Sequence, residues 1–200
     1  MAKYDLNILR ANNENLKHTW KSHPNVHAAV TPGGDKEYMK LFREHYDGFT
    51  GSILEIGAGT GFLANEILTH YPNIDYTILD IEKNIEEVVK KTLIDHPEVK
   101  YITSANYEKV FDEQYDMLLE THCLSETPRY YYTNLFNNLS IKSCFVIDYG
   151  GDPTDPGFND SLLAWFEQFP SKQVLKNYNL AGGKLKGIPV YIGKPDDSSG

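Results

Sequence analysis

Hydrophobic residues from position 52 onward follow two alternating spacings along the chain. Continuous apolar runs that end in glycine or aspartate, such as SILEIG at 52–57 and DYTILDI at 75–81, predict buried strands. Apolar residues at helical spacing, such as Ile85, Val88, Val89 and Leu93 in 81–97, predict helices with one buried face. By the same criteria, further strands are predicted at 99–105, 115–123 and 143–151, and further helices at 61–72, 127–139 and 158–169.

Strands and helices that alternate in this way require crossover connections, and these produce a largely parallel sheet with helices on both faces. The last stretch of the chain departs from the alternation. The runs KQVLKNYNL at 172–180 and KGIPVYIGK at 186–194 are separated by a glycine-rich link and no helix. Two such runs predict a β-hairpin, so the carboxyl-terminal part of the sheet is expected to be antiparallel.

The charge and composition of the chain limit the kinds of partner that it is expected to bind. The formal net charge is -9, with 28 acidic residues against 19 basic ones, which disfavours binding to nucleic acid because that binding depends on lysine and arginine at phosphates. No apolar run approaches the roughly 18 residues of a membrane span, and the amino terminus lacks the apolar segment of a signal peptide. Cys123 and Cys144 lie in apolar runs and are expected to be free thiols. These features predict a cytoplasmic globular protein without membrane or nucleic-acid partners.

The stretch ILEIGAGTGF at 53–62 places Gly57, Gly59 and Gly61 at alternate positions directly after a strand. Ligands of open parallel sheets bind at the carboxyl ends of the strands, and glycines there let the backbone approach a ligand closely. The third glycine comes one residue too early for the G-x-G-x-x-G turn of dinucleotide sites. Glu55, two residues before the turn, would repel a pyrophosphate but would favour a cationic ligand.

Asp80 ends the second predicted strand, at the place where an acidic side chain accepts both hydroxyls of a ribose. This residue predicts a ligand that resembles adenosine. It does not by itself distinguish a dinucleotide from another nucleoside cofactor.

Together, ILEIGAGTGF, TILDI and YDMLLETHC resemble the class I S-adenosylmethionine-dependent methyltransferases, over about residues 52–150. The resemblance implies a Rossmann-like, doubly wound and mostly parallel seven-stranded sheet with an antiparallel hairpin, and S-adenosylmethionine as cofactor. Its cofactor-binding positions correspond to Glu55, Gly57, Ala58, Gly59, Gly61, Asp80 and Ile81, the last packing on the adenine. After the third strand, where the family often has an aspartate, this chain offers Ser104 and Asn106.

The fourth predicted strand ends in ETHC at 120–123, next to the expected position of the cofactor's methyl group. It lacks the N-P-P-Y/F tetrad that marks family members acting on exocyclic amines. His122 has an ordinary pKa near 6.5, which suits a general base, although a hydrogen-bonded histidine at a strand end is the alternative. Glu120 is a second candidate, either as a base or as a cofactor contact.

Side chains after the fourth and fifth strands are candidates for binding a polar substrate. Glu126 and Arg129 can orient it, Tyr130 can stack on a ring, and Asp148 can bind hydroxyls or cap a helix. At least one of Tyr130, Tyr131 and Tyr132 is expected to face the core, because consecutive helical residues point in different directions. The short segment LSETP also resembles sugar O-methyltransferases, which favours a sugar as the methyl acceptor.

Residues 1–50 are predicted to form a helical lid that recognises the substrate, with an amphipathic helix at 35–46 and with Trp20 and Tyr38 as aromatic walls. Its histidines at 18, 23 and 27 lack the tight pairing of a zinc site, so no metal is expected. Residues 51–195 form the expected S-adenosylmethionine-binding domain, and 196–200 a disordered tail.

The sequence therefore predicts a methyltransferase for a small polar acceptor, most simply through O-methylation of a sugar or another hydroxylated metabolite. Two rivals remain: an NAD-linked oxidoreductase, and a methyltransferase-like protein that binds without turnover. The oligomeric state is left open, with a homodimer as one possibility.

Overall fold

The computed structural model of the protein describes residues 32–148, 157–180 and 185–196. It contains seven strands: β1 (Gly51–Ile56), β2 (Ile74–Asp80), β3 (Lys100–Thr103), β4 (Tyr115–Thr121), β5 (Ile141–Ile147), β6 (Ser171–Leu180) and β7 (Leu185–Lys194). Six of them begin and end within two residues of a strand predicted from the apolar runs, whereas β5 begins two residues before the predicted strand 143–151 and ends four residues before its end. The predicted strands are therefore confirmed.

In the described ranges, five helices surround the sheet: α1 (Pro32–Tyr46), α2 (Phe62–His70), α3, α4 (Arg129–Asn138) and α5 (Gly157–Phe166). Helix α3 begins at Glu82–Asn84, continues through a π-helical turn at Ile85–Val89 and ends at Lys90–Thr92. Two 3₁₀ stretches, Ser104–Asp112 and Leu124–Glu126, follow β3 and β4. The helical periodicity did not predict the π-helical turn or the longer 3₁₀ stretch.

The strands form one seven-stranded sheet in the order β3-β2-β1-β4-β5-β7-β6. Strands β1 to β5 pair in parallel, whereas β7 pairs antiparallel with both β5 and β6. The doubly wound α/β sheet with an antiparallel carboxyl-terminal hairpin is therefore confirmed.

Apolar side chains cover both faces of the sheet, which explains why the parallel strands are almost continuously hydrophobic. In β1, Ile53 belongs to the core under α1 and α2, whereas its neighbour Leu54 belongs to the core under α4 and α5. Helix α1 buries Leu41 and Phe42 completely in the first core. The described part of the predicted lid is thus packed onto the sheet, and a lid at residues 1–31 lies outside the described residues.

The strand order reverses between β1 and β4, since the chain passes from β1 to β2 and β3 on one side and then continues at β4 on the other. In such sheets the crevice at the carboxyl ends of these strands is the usual ligand site. Strand pairing aligns Ile56 with Leu79 of β2 and with Glu120 of β4. The carboxyl ends that carry the candidate residues therefore lie side by side.

Candidate cofactor and active site

The glycine turn between β1 and α2 adopts the left-handed backbone that its sequence predicts. Gly57, Gly59 and Gly61 have φ angles of 72°, 57° and 78°. The turn is closed by a hydrogen bond of 2.8 Å from the amide of Gly61 to the carbonyl of Ala58, and the amide of Gly57 donates to the Leu79 carbonyl of β2 over 2.9 Å. The turn is therefore fixed to the neighbouring strand.

Close packing also requires a glycine at position 57. A Cβ at this position would lie 2.3 Å from Sγ and 2.4 Å from Cβ of Cys123, well inside van der Waals contact. The loop after β4 thus packs directly against the turn after β1. A side chain at position 57 would push these two loops apart.

Glu55 lies in β1 just below the turn and is almost fully buried. Its Oε2 accepts a hydrogen bond of 3.0 Å from the hydroxyl of Tyr76 in β2. Burial, together with the neighbouring Glu55 carboxylate, raises the pKa of Tyr76 well above its usual range, so this hydroxyl remains a donor. The carboxylate is consequently held in place beneath the glycine turn.

Asp80 ends β2 and exposes 6% of its surface. Its Oδ1 accepts a bond of 2.6 Å from the amide of Ile81, and its Oδ2 accepts one of 2.6 Å from the side-chain amide of Asn84. Burial raises the pKa of Asp80 to about 6, although these hydrogen bonds and backbone amides of the glycine turn oppose the rise. The carboxylate therefore faces the turn, as a ribose-binding acid must.

Asn84 is a residue of this site that sequence reasoning missed. Its side-chain amide donates both to Oδ2 of Asp80 and, over 2.8 Å, to the carbonyl of Gly59. One side chain thus joins the Asp80 carboxylate to the glycine turn. Its position four residues after Asp80, one helical turn into α3, is the only sequence signal that could have indicated it, and many helix residues share that spacing.

Replacing Asn84 with leucine is expected to weaken cofactor binding roughly tenfold to 100-fold, because the turn and the acid each lose a hydrogen bond of about 1–3 kcal/mol. Calorimetric titration with S-adenosylhomocysteine measures the change. Lys83→Ala, an exposed substitution on the same helix, is the matched control and should remain within about twofold of the wild type. Equal affinities of the Asn84→Leu and Lys83→Ala proteins would contradict this role.

The remaining cofactor candidates line the edge of the site next to Asp80. Asp80 pairs with Thr103 in β3, so Ser104 follows directly at the adjacent strand end. Ser104 is buried, whereas Asn106 is exposed and its side-chain amide donates to Oγ1 of Thr103 over 3.0 Å. Ile81 is half-buried after β2. Their contact with an adenine remains a prediction.

His122 follows β4 and has a left-handed backbone with a φ of 61°, the only positive φ among the described non-glycine residues. Its amide donates to the Ile147 carbonyl of β5 over 2.8 Å, and its Nε2 lies 2.8 Å from the hydroxyl of Tyr38. Burial lowers the pKa of His122 to about 4, so the ring is neutral at physiological pH. Helix α1 therefore supplies a hydroxyl to the end of β4.

The strained backbone of His122 is consistent with a functional role, because uncommon conformations persist where surrounding contacts impose them. Tyr38 is itself buried, and its ring centroid lies 5.9 Å from that of His122. The two side chains, 84 positions apart in the chain, form one unit. Both residues were predicted from the sequence as site candidates, but the contact between them was not predicted.

Glu120 and Asp148 end neighbouring strands, and both are completely buried. Oε1 of Glu120 accepts the amides of Cys123, over 2.5 Å, and Leu124, over 3.0 Å, while Oδ2 of Asp148 accepts the amide of Ser125 over 3.0 Å. Both carboxyl groups are thus engaged by the loop after β4. The substrate contact of Asp148 remains a prediction.

The other substrate candidates are distributed around this loop. Arg129 is exposed at the start of α4, and Tyr130 is half-buried. Tyr131 and Tyr132 are buried in the core, which confirms that at least one tyrosine of the triplet faces inward. Trp20 and the side chain of Glu126 lie outside the described residues.

The donor set at the crevice fits S-adenosylmethionine. The left-handed glycine turn leaves its backbone bare, Glu55 provides a buried carboxylate beneath it, and Asp80 provides a second at the neighbouring strand end. Two carboxylates suit a cofactor that carries a sulfonium, an ammonium and a ribose. Glycine turn and Asp80 would hold the amino acid part and the ribose, respectively.

Two negative findings concern residues 32–148, 157–180 and 185–196. No helix there is long and apolar enough to cross a membrane. The same ranges hold no group of three or more His, Cys, Asp or Glu side chains suited to a metal ion, and the histidines at 18, 23 and 27 lie outside them. Cys123 and Cys144, both within these ranges, are free thiols.

Known structures share this fold. The plantazolicin methyltransferase BpumL, solved with a desmethyl analogue and SAH, superposes with a TM-score of 0.59 at 14% identity, covering 95% of this chain and 98% of that one. An O-methyltransferase family protein from Burkholderia thailandensis gives a TM-score of 0.58 at 9% identity, covering 84% of this chain and 57% of that one. At these identities the likeness concerns the fold alone.

Curated sequences are also similar over part of the chain. Malonyl-[acyl-carrier protein] O-methyltransferase 1 of Ilyobacter polytropus is 31% identical over 105 residues, which is 50% of this chain and 35% of the relative. The chain thus spans about a third of that relative's length. The family model of the methyltransferase small domain matches residues 18–122, more than half of the chain. The protein therefore belongs to the methyltransferase small domain family, a family of class I methyltransferases whose cofactor is S-adenosylmethionine.

Proposed function

We propose that the protein transfers a methyl group from S-adenosylmethionine to an oxygen of a small hydroxylated acceptor, such as a sugar. The observation that carries this proposal is the His122–Tyr38 pair at the carboxyl end of β4, with Nε2 and the hydroxyl 2.8 Å apart. A neutral imidazole beside a hydroxyl is the arrangement that O-methylation needs, since the acceptor loses a proton as its oxygen is methylated.

The bound cofactor would supply an activated methyl group on its sulfonium. The chain has to align the acceptor oxygen with that methyl and to take up one proton. The hydroxyl of Tyr38 marks a position from which an oxygen reaches Nε2 of His122, and an acceptor hydroxyl that replaced it would have the same access. When the acceptor oxygen is methylated, its proton would pass to Nε2 of His122.

A ring with a pKa of about 4 is a weak base for a free hydroxyl. It is sufficient here because an oxygen that is being methylated becomes a far stronger acid than the free alcohol. The buried position of His122 also keeps the ring neutral before the reaction. The Tyr38 hydroxyl, displaced from Nε2 by the acceptor, would then donate to another oxygen of the acceptor.

A carboxylate acceptor is the second candidate, because the curated relatives are named malonyl-[acyl-carrier protein] O-methyltransferases. A carboxylate needs no base but does need a nearby cation. Of the described groups after β4 and β5, Glu120 and Asp148 are acidic, and Arg129 is exposed. These two acidic groups would repel a carboxylate, so they favour a neutral hydroxylated acceptor.

An acceptor panel tests the proposal. Purified protein is incubated with S-adenosylmethionine and with sugars, polyols, phenols or a malonyl thioester, and products are identified by mass spectrometry. The proposal expects an added methyl group on a hydroxylated compound, and loss of that product in the His122→Asn protein. Methylation of the malonyl thioester alone would establish the carboxylate alternative, and cofactor binding without any product would favour a binding protein.

A further inference from the structure

Two acidic side chains are buried at the ends of the neighbouring strands β4 and β5. Glu120 and Asp148 each expose 0% of their surface, and Glu120 pairs with Val146, two residues before Asp148 on the adjacent strand. The two side chains therefore emerge on the same face of the sheet. They lie within hydrogen-bonding reach of each other.

Three loop amides donate to the two acids: Oε1 of Glu120 accepts two of them, and Oδ2 of Asp148 accepts the third. Oε2 of Glu120 is buried and receives no hydrogen bond from any N–H or O–H group of the described residues. The charged group that acts on Glu120 is the Asp148 carboxyl, which lies within hydrogen-bonding reach. Two carboxylates in such contact repel strongly, whereas one shared proton turns the contact into an O–H···O⁻ hydrogen bond.

The surroundings support a retained proton. Burial and the Asp148 charge raise the pKa of Glu120 well above its usual range, and the amides of Cys123 and Leu124 only partly oppose this. Burial and the Asp148 carboxylate also raise the pKa of the Tyr191 hydroxyl in β7. Tyr191 in turn donates to Oδ1 of Asn159 of α5, over 3.5 Å. The charged group that faces Glu120 most strongly is therefore Asp148.

The pair also holds the loop that carries His122. Residues 123, 124 and 125 donate their amides in succession to the two acids, directly after the left-handed backbone of His122. A strained conformation of this kind is unfavourable and needs contacts that impose it. The loop amides are those contacts on its carboxyl-terminal side.

We propose that Glu120 and Asp148 share one proton and act as a positioning pair that holds the loop 122–125, and with it His122, at the end of β4. Glu120 then donates through Oε2 to Asp148 and is not the base that removes the acceptor's proton. The shared proton is independent of the proposed reaction. Only its consequence for His122 rests on the proposed function.

The first experiment measures the proton through unfolding. A folded state that retains one proton more than the unfolded state is stabilised fully below the unfolded pKa of about 4.3, and it loses that stability as pH rises towards the folded pKa. Between pH 5 and 7.5, the unfolding equilibrium constant of the wild type should therefore rise with pH more steeply than that of Glu120→Gln. The difference amounts to a factor of about ten per pH unit. Asp148→Asn removes only the charge and leaves the burial of Glu120, so it should flatten the dependence less than Glu120→Gln does.

Glutamine is the most informative replacement for Glu120 because it resembles a protonated glutamate. Its oxygen can accept the two loop amides and its amide can donate to Asp148, which alanine cannot do. Parallel pH dependences of unfolding in the wild type and Glu120→Gln would overturn the shared proton.

The second experiment tests positioning. The Glu120→Ala protein is expected to lose at least about tenfold in affinity for S-adenosylhomocysteine, since the loop packed on Gly57 loses two hydrogen bonds, and glutamine should restore most of that loss. If the alanine protein does not fold, glutamine is compared with leucine, which fills the site without accepting the amides. Equal affinities of the glutamine protein and the apolar variant would contradict the positioning role. A failed search for an acceptor would leave both experiments unaffected.

Discussion

Replacing Gly57 with alanine is expected to lower the affinity for S-adenosylmethionine at least about 100-fold. The substitution combines left-handed strain of about 1 kcal/mol or more with overpacking that costs about 1–3 kcal/mol, and both act on the turn that forms the site. The added Cβ would lie 2.3 Å from Sγ of Cys123, so turn and loop have to separate. Calorimetric titration with S-adenosylmethionine measures the effect, with circular dichroism to show that the variant folds.

Gly48 offers a matched control for this substitution. Its φ is 71°, nearly that of Gly57, but a Cβ there would meet no atom within 4 Å. Gly48→Ala therefore introduces the same backbone strain away from the site and should leave cofactor affinity within about twofold. The double variant Gly57→Ala/Cys123→Gly removes the overlapping atoms and should recover part of the affinity. An unaltered affinity in Gly57→Ala would show that the turn does not bind the cofactor.

His122→Asn is expected to reduce turnover of the hydroxylated acceptor by about 100-fold or more, the usual contribution of a general base. Asparagine tolerates the left-handed backbone better than most residues, so the loop should keep its shape. Affinity for S-adenosylhomocysteine should therefore change by less than about threefold. Tyr38→Phe, which removes only the hydroxyl at 2.8 Å from Nε2, is expected to cost about tenfold in turnover.

The pH profile provides a second criterion for His122. The neutral imidazole is the form that accepts a proton, and burial lowers its pKa to about 4. The neutral imidazole therefore predominates at every pH well above 4, and it is lost only as pH falls through that value. Turnover should show no His122 titration between pH 5.5 and 8, whereas an exposed histidine would produce a break near 6.5. Such a break, or full turnover in His122→Asn, would contradict the role of this residue.

Local patterns predicted the fold well. The seven strands and the amphipathic helices follow from apolar spacing, because each buried face leaves a period in the sequence. Gly57 and Asp80 could be named because they occupy fixed positions relative to the ends of β1 and β2. Their backbone angle and burial agree with those expectations.

The parts that escaped prediction depend on contacts between distant segments. Nothing near Gly57 indicates that Cys123 fills the space above it, or that Tyr38 reaches His122 across 84 positions. The shared burial of Glu120 and Asp148 depends on strand register, which places β5 next to β4. Such contacts arise only from tertiary packing, and no spacing along the chain encodes them.

The central claim is that the crevice beside the glycine turn, with Asp80 at its edge, binds S-adenosylmethionine. Calorimetric titration of the wild-type protein with S-adenosylmethionine, S-adenosylhomocysteine and NAD tests it most directly, at pH 7.5 and again at pH 5. We predict saturable binding of the first two compounds but not of NAD, and weaker binding at pH 5 because Asp80, with a pKa of about 6, then loses its charge. Binding of NAD alone, or affinity for S-adenosylmethionine that an Asp80→Ala substitution leaves intact, would contradict the claim.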